Sequence, residues 1–314
     1  MSTRIAGIHS LALVGATGAG KTSLAEALLF AAGAITSKGS VERKTTVFDH
    51  DPQEHEQLHS LQSAIACFDY DGRHLQFIDT PGYPDFIGHA LSALEAVETM
   101  VVVVNAATGI DMMTRRMLKL GAERAICRMI VINKIDAEGV DLQGLLDALR
   151  DEFGPECLAI NLPAPGRDAV VDCFFNPDGP SDFASVAEAH SRIIDQVVEV
   201  DEDLMALYLE QGEDLAPEQL HDPFEKALRE GHLVPVCFVS GRSGAGVKEL
   251  LSIITRLMPT PLEGNPPGFL LGEGEGARVV RAQPNPEAHV IAHVFKIGFD
   301  PFVGKQAIFR VHQG

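Results

Sequence analysis

No stretch of this chain is both long and apolar enough to span a bilayer. Its first residues, Met1-Ser2-Thr3-Arg4-Ile5-Ala6-Gly7, lack the basic region and apolar run of an export signal. A membrane role is excluded on this reading, and a cytoplasmic protein is expected. Cysteine is sparse: Cys67, Cys127, Cys157, Cys173 and Cys237 lie far apart, with no CxxC pair. That excludes a disulfide framework and predicts buried thiols in a reducing compartment. Positive charge is short as well, with 25 Lys and Arg against 44 Asp and Glu and a net charge of −19. A surface that grips nucleic acid through its phosphates needs clustered cations, so direct DNA binding is not expected and tight RNA binding by this piece is excluded. The acid is concentrated between Ile193 and Leu220, where Asp195, Glu199, Asp201, Glu202, Asp203, Glu210, Glu213, Asp214 and Glu218 occur without one Lys or Arg. The plain reading is a solvated helix face.

What remains is ample for folding. A chain of 314 residues that is 46% hydrophobic can bury one large core or two ordinary ones. Over its first half, short apolar runs alternate with helical patterns, which predicts a sheet covered by helices. Strands are expected at Ser10–Val14, Leu61–Tyr70, His74–Ile78, Met100–Asn105 and Met129–Asn133, the second and third joined across Asp71-Gly72, a dipeptide suited to tight hairpin turns. Helices are expected at Lys21–Ala32, Asp85–Val97, Met112–Ala122 and Leu142–Phe153. The rhythm breaks over residues 155–231, where prolines and the acidic helix predict an inserted subdomain, and resumes with a strand at Val234–Val239 and a helix at Val247–Leu257. The first domain is therefore expected to span 1–258. Residues 259–286, punctuated by Pro and Gly, read as a linker. From 287 to 314 the alternation around Val290, Ala292 and Val294 begins a β structure too short to close a barrel by itself.

Three motifs carry chemistry. Gly15-Ala16-Thr17-Gly18-Ala19-Gly20-Lys21-Thr22 fits GxxxxGK[ST] between a strand and a helix that continues with Ser23. Its glycines let successive amides face phosphate oxygens at a helix amino end, Lys21 is placed to span β and γ phosphates, and Thr22 offers a hydroxyl to Mg²⁺. Asp79-Thr80-Pro81-Gly82 ends a strand, which makes Asp79 a magnesium ligand, directly or through water, and lets the Gly82 amide approach a γ-phosphate. Asn133-Lys134-Ile135-Asp136 leaves another strand and reads as a guanine selector. The Asp136 carboxylate accepts from two purine donors that adenine does not offer together, so ATP is disfavoured by ~10⁴ or more. Ser240-Gly241, after the strand at 234–239, is a weaker signal for a hydroxyl and an amide at the base.

These residues, in this order, resemble the translational GTPases, and elongation factor G and its elongation-factor-G-like branch in particular. The likeness rests on GATGAGKT, DTPGYPDF, NKID, VDEDLMALYLEQGE, VPVCFVSG and DPFVGKQAIFRVHQG, and covers essentially the whole chain. It implies a three-layer α/β P-loop GTPase domain with an inserted α+β subdomain, followed by the start of an all-β barrel. It further implies a monomeric factor that uses GTP, GDP and Mg²⁺ and acts on the ribosome through domains mostly beyond this chain. Ser60, in Glu54-His55-Glu56-Gln57-Leu58-His59-Ser60-Leu61, matches the family's magnesium-binding threonine. Three features depart from the pattern. The segment Glu54–Leu61 stands in place of the family's usual EQERGITI run, with a hydroxyl kept at Ser60. Gly18 stands where an aspartate is usual, and Tyr83 replaces the histidine that positions the attacking water. The expected catalytic set is thus Lys21, Gly82 and Tyr83, with hydrolysis slowed, because a phenol with a pKa near 10 is a poor base. The alternative is a GTP-binding regulatory module with little hydrolysis of its own. His50, His55 and His59 with Asp51, Glu54 and Glu56 offer metal-ligand chemistry, but the resemblance places them in the first switch segment as a polar loop.

Overall fold

The computed structural model describes residues 5–48, 52–211, 217–283, 285–300 and 302–314. Its centre is a seven-stranded sheet. In chain order the elements are β1 (Ile8–Val14), α1 (Lys21–Ala31), α2 (Pro52–Gln57), β2 (Ala64–Tyr70), β3 (Arg73–Asp79), α3 (Ile87–Ala93), β4 (Thr99–Asn105), α4 (Met112–Glu123), β5 (Cys127–Asn133) and α5 (Leu142–Phe153). They continue with β6 (Cys157–Ala159), β7 (Asn161–Pro163), β8 (Val170–Asp172), α6 (Val186–Val198), α7 (Glu202–Gln211), α8 (Pro217–Glu230), β9 (Val234–Val239) and α9 (Val247–Leu257). Two hairpins follow, β10 (Gly268–Leu271) with β11 (Arg278–Arg281), and β12 (Ile291–Asp300) with β13 (Gly304–Gln313).

The sheet order is β2-β3-β1-β4-β5-β9-β6, parallel throughout except for the β2–β3 hairpin. Helices cover both faces of such a sheet, so its inner strands are nearly continuous apolar runs, as in Val101–Val104 and Met129–Ile132, all buried. Helix stripes answer them: Leu142, Leu145, Leu146 and Leu149 of α5, and Val247, Leu250, Leu251 and Ile254 of α9. Capping sets the helix starts. Asp141 accepts from the Gly144 amide at 2.8 Å and Asp111 from the Thr114 amide at 2.7 Å. Parallel pairing has a functional consequence: the segments that leave β1, β3, β5 and β9 emerge at the same edge of the sheet.

Several expectations shift at their boundaries. β2 begins at Ala64 rather than Leu61, because the Leu61 and Gln62 amides are taken by the Glu54 carboxylate and cannot join the ladder. The helix expected over 85–97 is α only from Ile87 to Ala93, with its ends tightened into 3₁₀ turns. Asp71 and Gly72 both have positive φ, 48° and 74°, as a primed hairpin turn requires. Within 155–231, β6 joins the main sheet, while β7 and β8 pair in a separate two-stranded sheet; β7 packs on β9, α6 on β6 and α8 on β5. Glu213 and Asp214 of the acidic run lie outside the described residues. The stretch read as a linker contains the β10–β11 hairpin, in which Phe269 faces Val280 and Leu270 faces Val279. Four cysteines are buried, with the Cys127, Cys157 and Cys173 thiols pushed up to about 12 by desolvation, whereas Cys67, on the edge strand β2, is exposed. Among the described residues no helix is long and apolar enough to cross a membrane.

The antiparallel strands β12 and β13 fit the start of a β domain. They meet the first domain through a buried ion pair, Arg310 Nη2 to Glu98 Oε1 at 2.6 Å, while Arg310 Nη1 also donates to Ser10 Oγ at 2.9 Å. Their other face presents Ile297, Phe299 and Phe309 to solvent.

Candidate nucleotide site

A cleft of about 1080 Å³ opens at the carboxyl edge of the sheet, lined among others by Gly18, Gly20, Lys21, Thr22, Ser60 and Gly82. The loop between β1 and α1 wraps its floor. Gly20 caps α1 with φ 88°, a left-handed conformation that suits glycine, and a Cβ there would lie 2.6 Å from Asn133 Nδ2. The Lys21 ammonium is buried and donates to the carbonyls of Gly15 (2.9 Å) and Ala16 (2.8 Å). Burial lowers its pKa to about 8 against the pull of Asp79 and Asp111. Gly82 closes over it: its carbonyl accepts from the Thr17 amide at 3.2 Å, and a Cβ at this position would meet Lys21 Nζ at 2.5 Å. Only a bare glycine leaves room at this point.

Beside Lys21, three oxygen-bearing side chains converge from three separate segments. Thr22 Oγ1 donates to Asp79 Oδ2 at 2.6 Å and lies 3.4 Å from Ser60 Oγ. Asp79 is 1% exposed at the end of β3. Two hydroxyls and a carboxylate form a hard oxygen donor set, which fits Mg²⁺ and leaves the remaining positions to water and phosphate. The residues present therefore suit that ion.

The base end is organised by Asn133. Its Nδ2 donates to the carbonyls of Ala19 (3.0 Å) and Gly20 (3.3 Å), while its Oδ1 accepts from the amides of Lys134 (2.8 Å) and Gly241 (3.0 Å). One side chain thus joins the segments leaving β1, β5 and β9. Lys134, at φ 67°, reaches over the phosphate loop to the Gly18 carbonyl at 2.7 Å. Asp136 is exposed and lines the cleft. Ser240 differs from expectation: fully buried, its hydroxyl accepts from the Ser243 amide at 3.0 Å, so Gly241 and Arg242 form the cleft wall instead.

Tyr83 also lies away from the cleft lining. Tyr83 is 38% exposed and packs against His59 with ring centroids 4.5 Å apart and the ring planes tilted, and it is His59 that lines the cleft. Gly15 and Ala19 act through their backbone, and Ser23 lines the cleft in the first turn of α1. Of the six residues considered for a separate metal site, His50 and Asp51 lie outside the described residues; among the described ones no cluster of three His, Cys, Asp or Glu is placed to hold an ion.

Three contributors escaped the motif reading. Glu26, buried inside α1, accepts from the amides of Gly39 (2.9 Å) and Val47 (2.5 Å) and so pins the strap between them. Lys38 on that strap donates to the carbonyls of Gly241 (2.9 Å) and Arg242 (2.7 Å) beside the base site. Glu54 holds the turn after Ser60. Only Glu26 left a trace in the sequence, as a carboxylate within the apolar run Leu24–Phe30.

The comparisons agree with this geometry. Residues 7–260 match the model of the elongation factor Tu GTP binding domain. Elongation factor G-like proteins of two Mycobacterium tuberculosis strains, CDC 1551/Oshkosh and ATCC 25618/H37Rv, are each 33% identical over 323 residues, covering 98% of this chain and 44% of the relative. A crystal structure of a Thermus thermophilus protein superposes with a TM-score of 0.81 at 33% identity, covering 98% of this chain and 46% of that one. The chain spans less than half the length of these relatives. With the phosphate loop, the DTPG turn and the NKID loop gathered on one sheet edge, the chain belongs to the translational GTPase family defined by the elongation factor Tu GTP-binding domain.

Proposed function

We propose that this chain binds GTP and GDP with Mg²⁺ at the cleft and hydrolyses GTP to GDP and phosphate, as the nucleotide-binding head of an elongation-factor-G-like protein that acts on the ribosome in translocation or in ribosome disassembly and recycling. The observation that carries this is the convergence of Lys21, Thr22 and Ser60 on one cleft that also carries Asp136, with Asp79 buried behind Thr22 and bonded to it.

Each residue has a physical task. The loop amides and the Lys21 ammonium neutralise the phosphates, and the loop carbonyls that hold Lys21 keep it aimed before the ligand arrives. Thr22, Ser60 and Asp79 would hold Mg²⁺, and that ion would supply positive charge beside the phosphate oxygens. Gly82 offers a backbone amide at the γ-phosphate, where water attacks phosphorus and the bond to the β-phosphate oxygen breaks. Asp136 selects guanine by accepting from its two donors. Loss of the γ-phosphate removes the contact partner of Gly82 and of the Ser60 segment, which is how the nucleotide state changes their order.

A second reading has its own support. Tyr83 turns toward His59 rather than lining the cleft, and Gly18 provides no carboxylate, so a GTP-holding regulatory module with little intrinsic hydrolysis also fits. Phosphate release from GTP, with and without ribosomes, separates the two. Turnover above the uncatalysed background supports the GTPase reading; tight GTP binding without turnover in either condition supports the module.

A further inference from the structure

The Ser60 hydroxyl begins a turn whose next three backbone groups are all held by side chains from elsewhere. The Leu61 and Gln62 amides donate to Glu54 Oε1 at 2.8 and 3.1 Å. The Ser63 carbonyl accepts from the ammonium of Lys296, which arrives from β12, 233 positions further along the chain. Ser63 Oγ in turn donates to the His89 carbonyl of α3 at 3.4 Å. Lys296 is partly buried: desolvation lowers its pKa, the Glu54 carboxylate pulls it back, and the same cation contributes to lowering that of His89. One ammonium thus bonds Ser63 within electrostatic reach of Glu54 and His89, where the first strand of the β segment packs on the helix that follows the DTPG turn.

We propose that Lys296 is a positioning residue for the nucleotide site. By fixing the Ser63 carbonyl it holds the 60–63 turn, and with it the Ser60 hydroxyl, against Thr22, so that β12 reinforces the arrangement facing the metal and the γ-phosphate. This rests on the reading of Ser60 as a magnesium ligand. The charge-assisted bond links two segments that share no other covalent or ladder constraint, which is where a single bond has most leverage.

The test compares the parent chain with Lys296→Met, which keeps the stem and removes the donor, and Lys296→Arg, which restores a donor. Without nucleotide or metal, hydrogen exchange at Leu61 and Gln62 is expected to quicken about tenfold in the Met variant and return toward the parent rate in the Arg variant. Unchanged exchange overturns the proposal. Calorimetry with a non-hydrolysable GTP analogue in Mg²⁺ is expected to show about five- to tenfold weaker binding, roughly the net value of one hydrogen bond, while GDP in EDTA binds within about twofold of the parent. A general loss of stability would weaken both. If Ser60→Ala leaves the Mg²⁺ dependence of the parent intact, the metal reading of Ser60 fails and the proposal falls with it. If Ser60→Ala removes that dependence and Lys296→Met binds the analogue as the parent does, only the Lys296 proposal fails. Should Lys296→Met not fold, Lys296→Gln, too short to reach Ser63, is read in the same way.

Discussion

Thr22 Oγ1 donates to Asp79 Oδ2 at 2.6 Å, joining the first turn of α1, on the cleft, to the buried last residue of β3. The contact spans 57 positions and connects the phosphate loop to the DTPG turn through two of the residues proposed to hold Mg²⁺. Removing either partner is expected to weaken GTP binding in Mg²⁺ by ~10-fold or more while sparing binding in EDTA, since Mg²⁺ takes hard oxygen ligands. Titration of Thr22→Val and Asp79→Asn with GTP in both conditions checks this. Equal losses with and without Mg²⁺ would contradict the metal role.

Gly82 has no room for a methyl group. A Cβ there would meet the Thr17 amide nitrogen at 2.4 Å and Lys21 Nζ at 2.5 Å, so Gly82→Ala must push the phosphate loop aside. Nucleotide affinity is expected to fall more than tenfold with a stability loss of about 1 to 3 kcal/mol, the usual range for overpacking. Thermal melts with and without GDP measure both. A variant whose melting point still rises normally with GDP would show that the close approach is not needed.

On the proposed hydrolytic reading, position 83 is expected to affect rate rather than affinity. If Tyr83 contributes nothing to proton transfer, Tyr83→His is expected to speed phosphate release by up to ~10²-fold, the lower weight of a positioned acid-base group. GDP affinity should stay the same. Single-turnover phosphate release decides, and no acceleration means that the substitution of tyrosine for histidine does not limit the reaction.

The contact between the first domain and the β segment should be sensitive to acid through His312. Burial, with Arg310 and His293 beside it, lowers the His312 pKa from 6.5 to about 4. The unfolded chain therefore binds a proton between those values that the folded chain refuses, so this stability contribution is present above pH 6.5 and is lost as pH falls toward 4. His312→Gln removes the penalty, and its melting temperature relative to the parent should rise as pH drops from about 7 to 5. A difference independent of pH contradicts this assignment.

The site was legible in the sequence wherever a local pattern carries the chemistry. The phosphate loop, Asp79 and NKID are contiguous strings beside readable strands, and α5, β9 and α9 match their periodic patterns. What could not be read depends on contacts between distant residues. Nothing near Asn133 reveals that its amide would be consumed by Ala19, Gly20, Lys134 and Gly241, and nothing near Ser240 reveals a hydroxyl turned into its own loop. Likewise β2 looked three residues longer because Leu61 continues its apolar pattern, whereas its start is set by a carboxylate from α2. Periodicity records which face is buried, not which backbone amide has already found a partner.

The central claim is that one cleft recognises a purine by its guanine pattern and a phosphate chain by its charge. Calorimetric titration of the folded chain in Mg²⁺ with GDP and with ADP, repeated on Asp136→Ala, tests it directly. One GDP is expected to bind per chain, with ADP weaker by ~10⁴ or more and GDP affinity reduced by at least ~10² in the variant. No heat with GDP, or equal affinity for ADP, would contradict it.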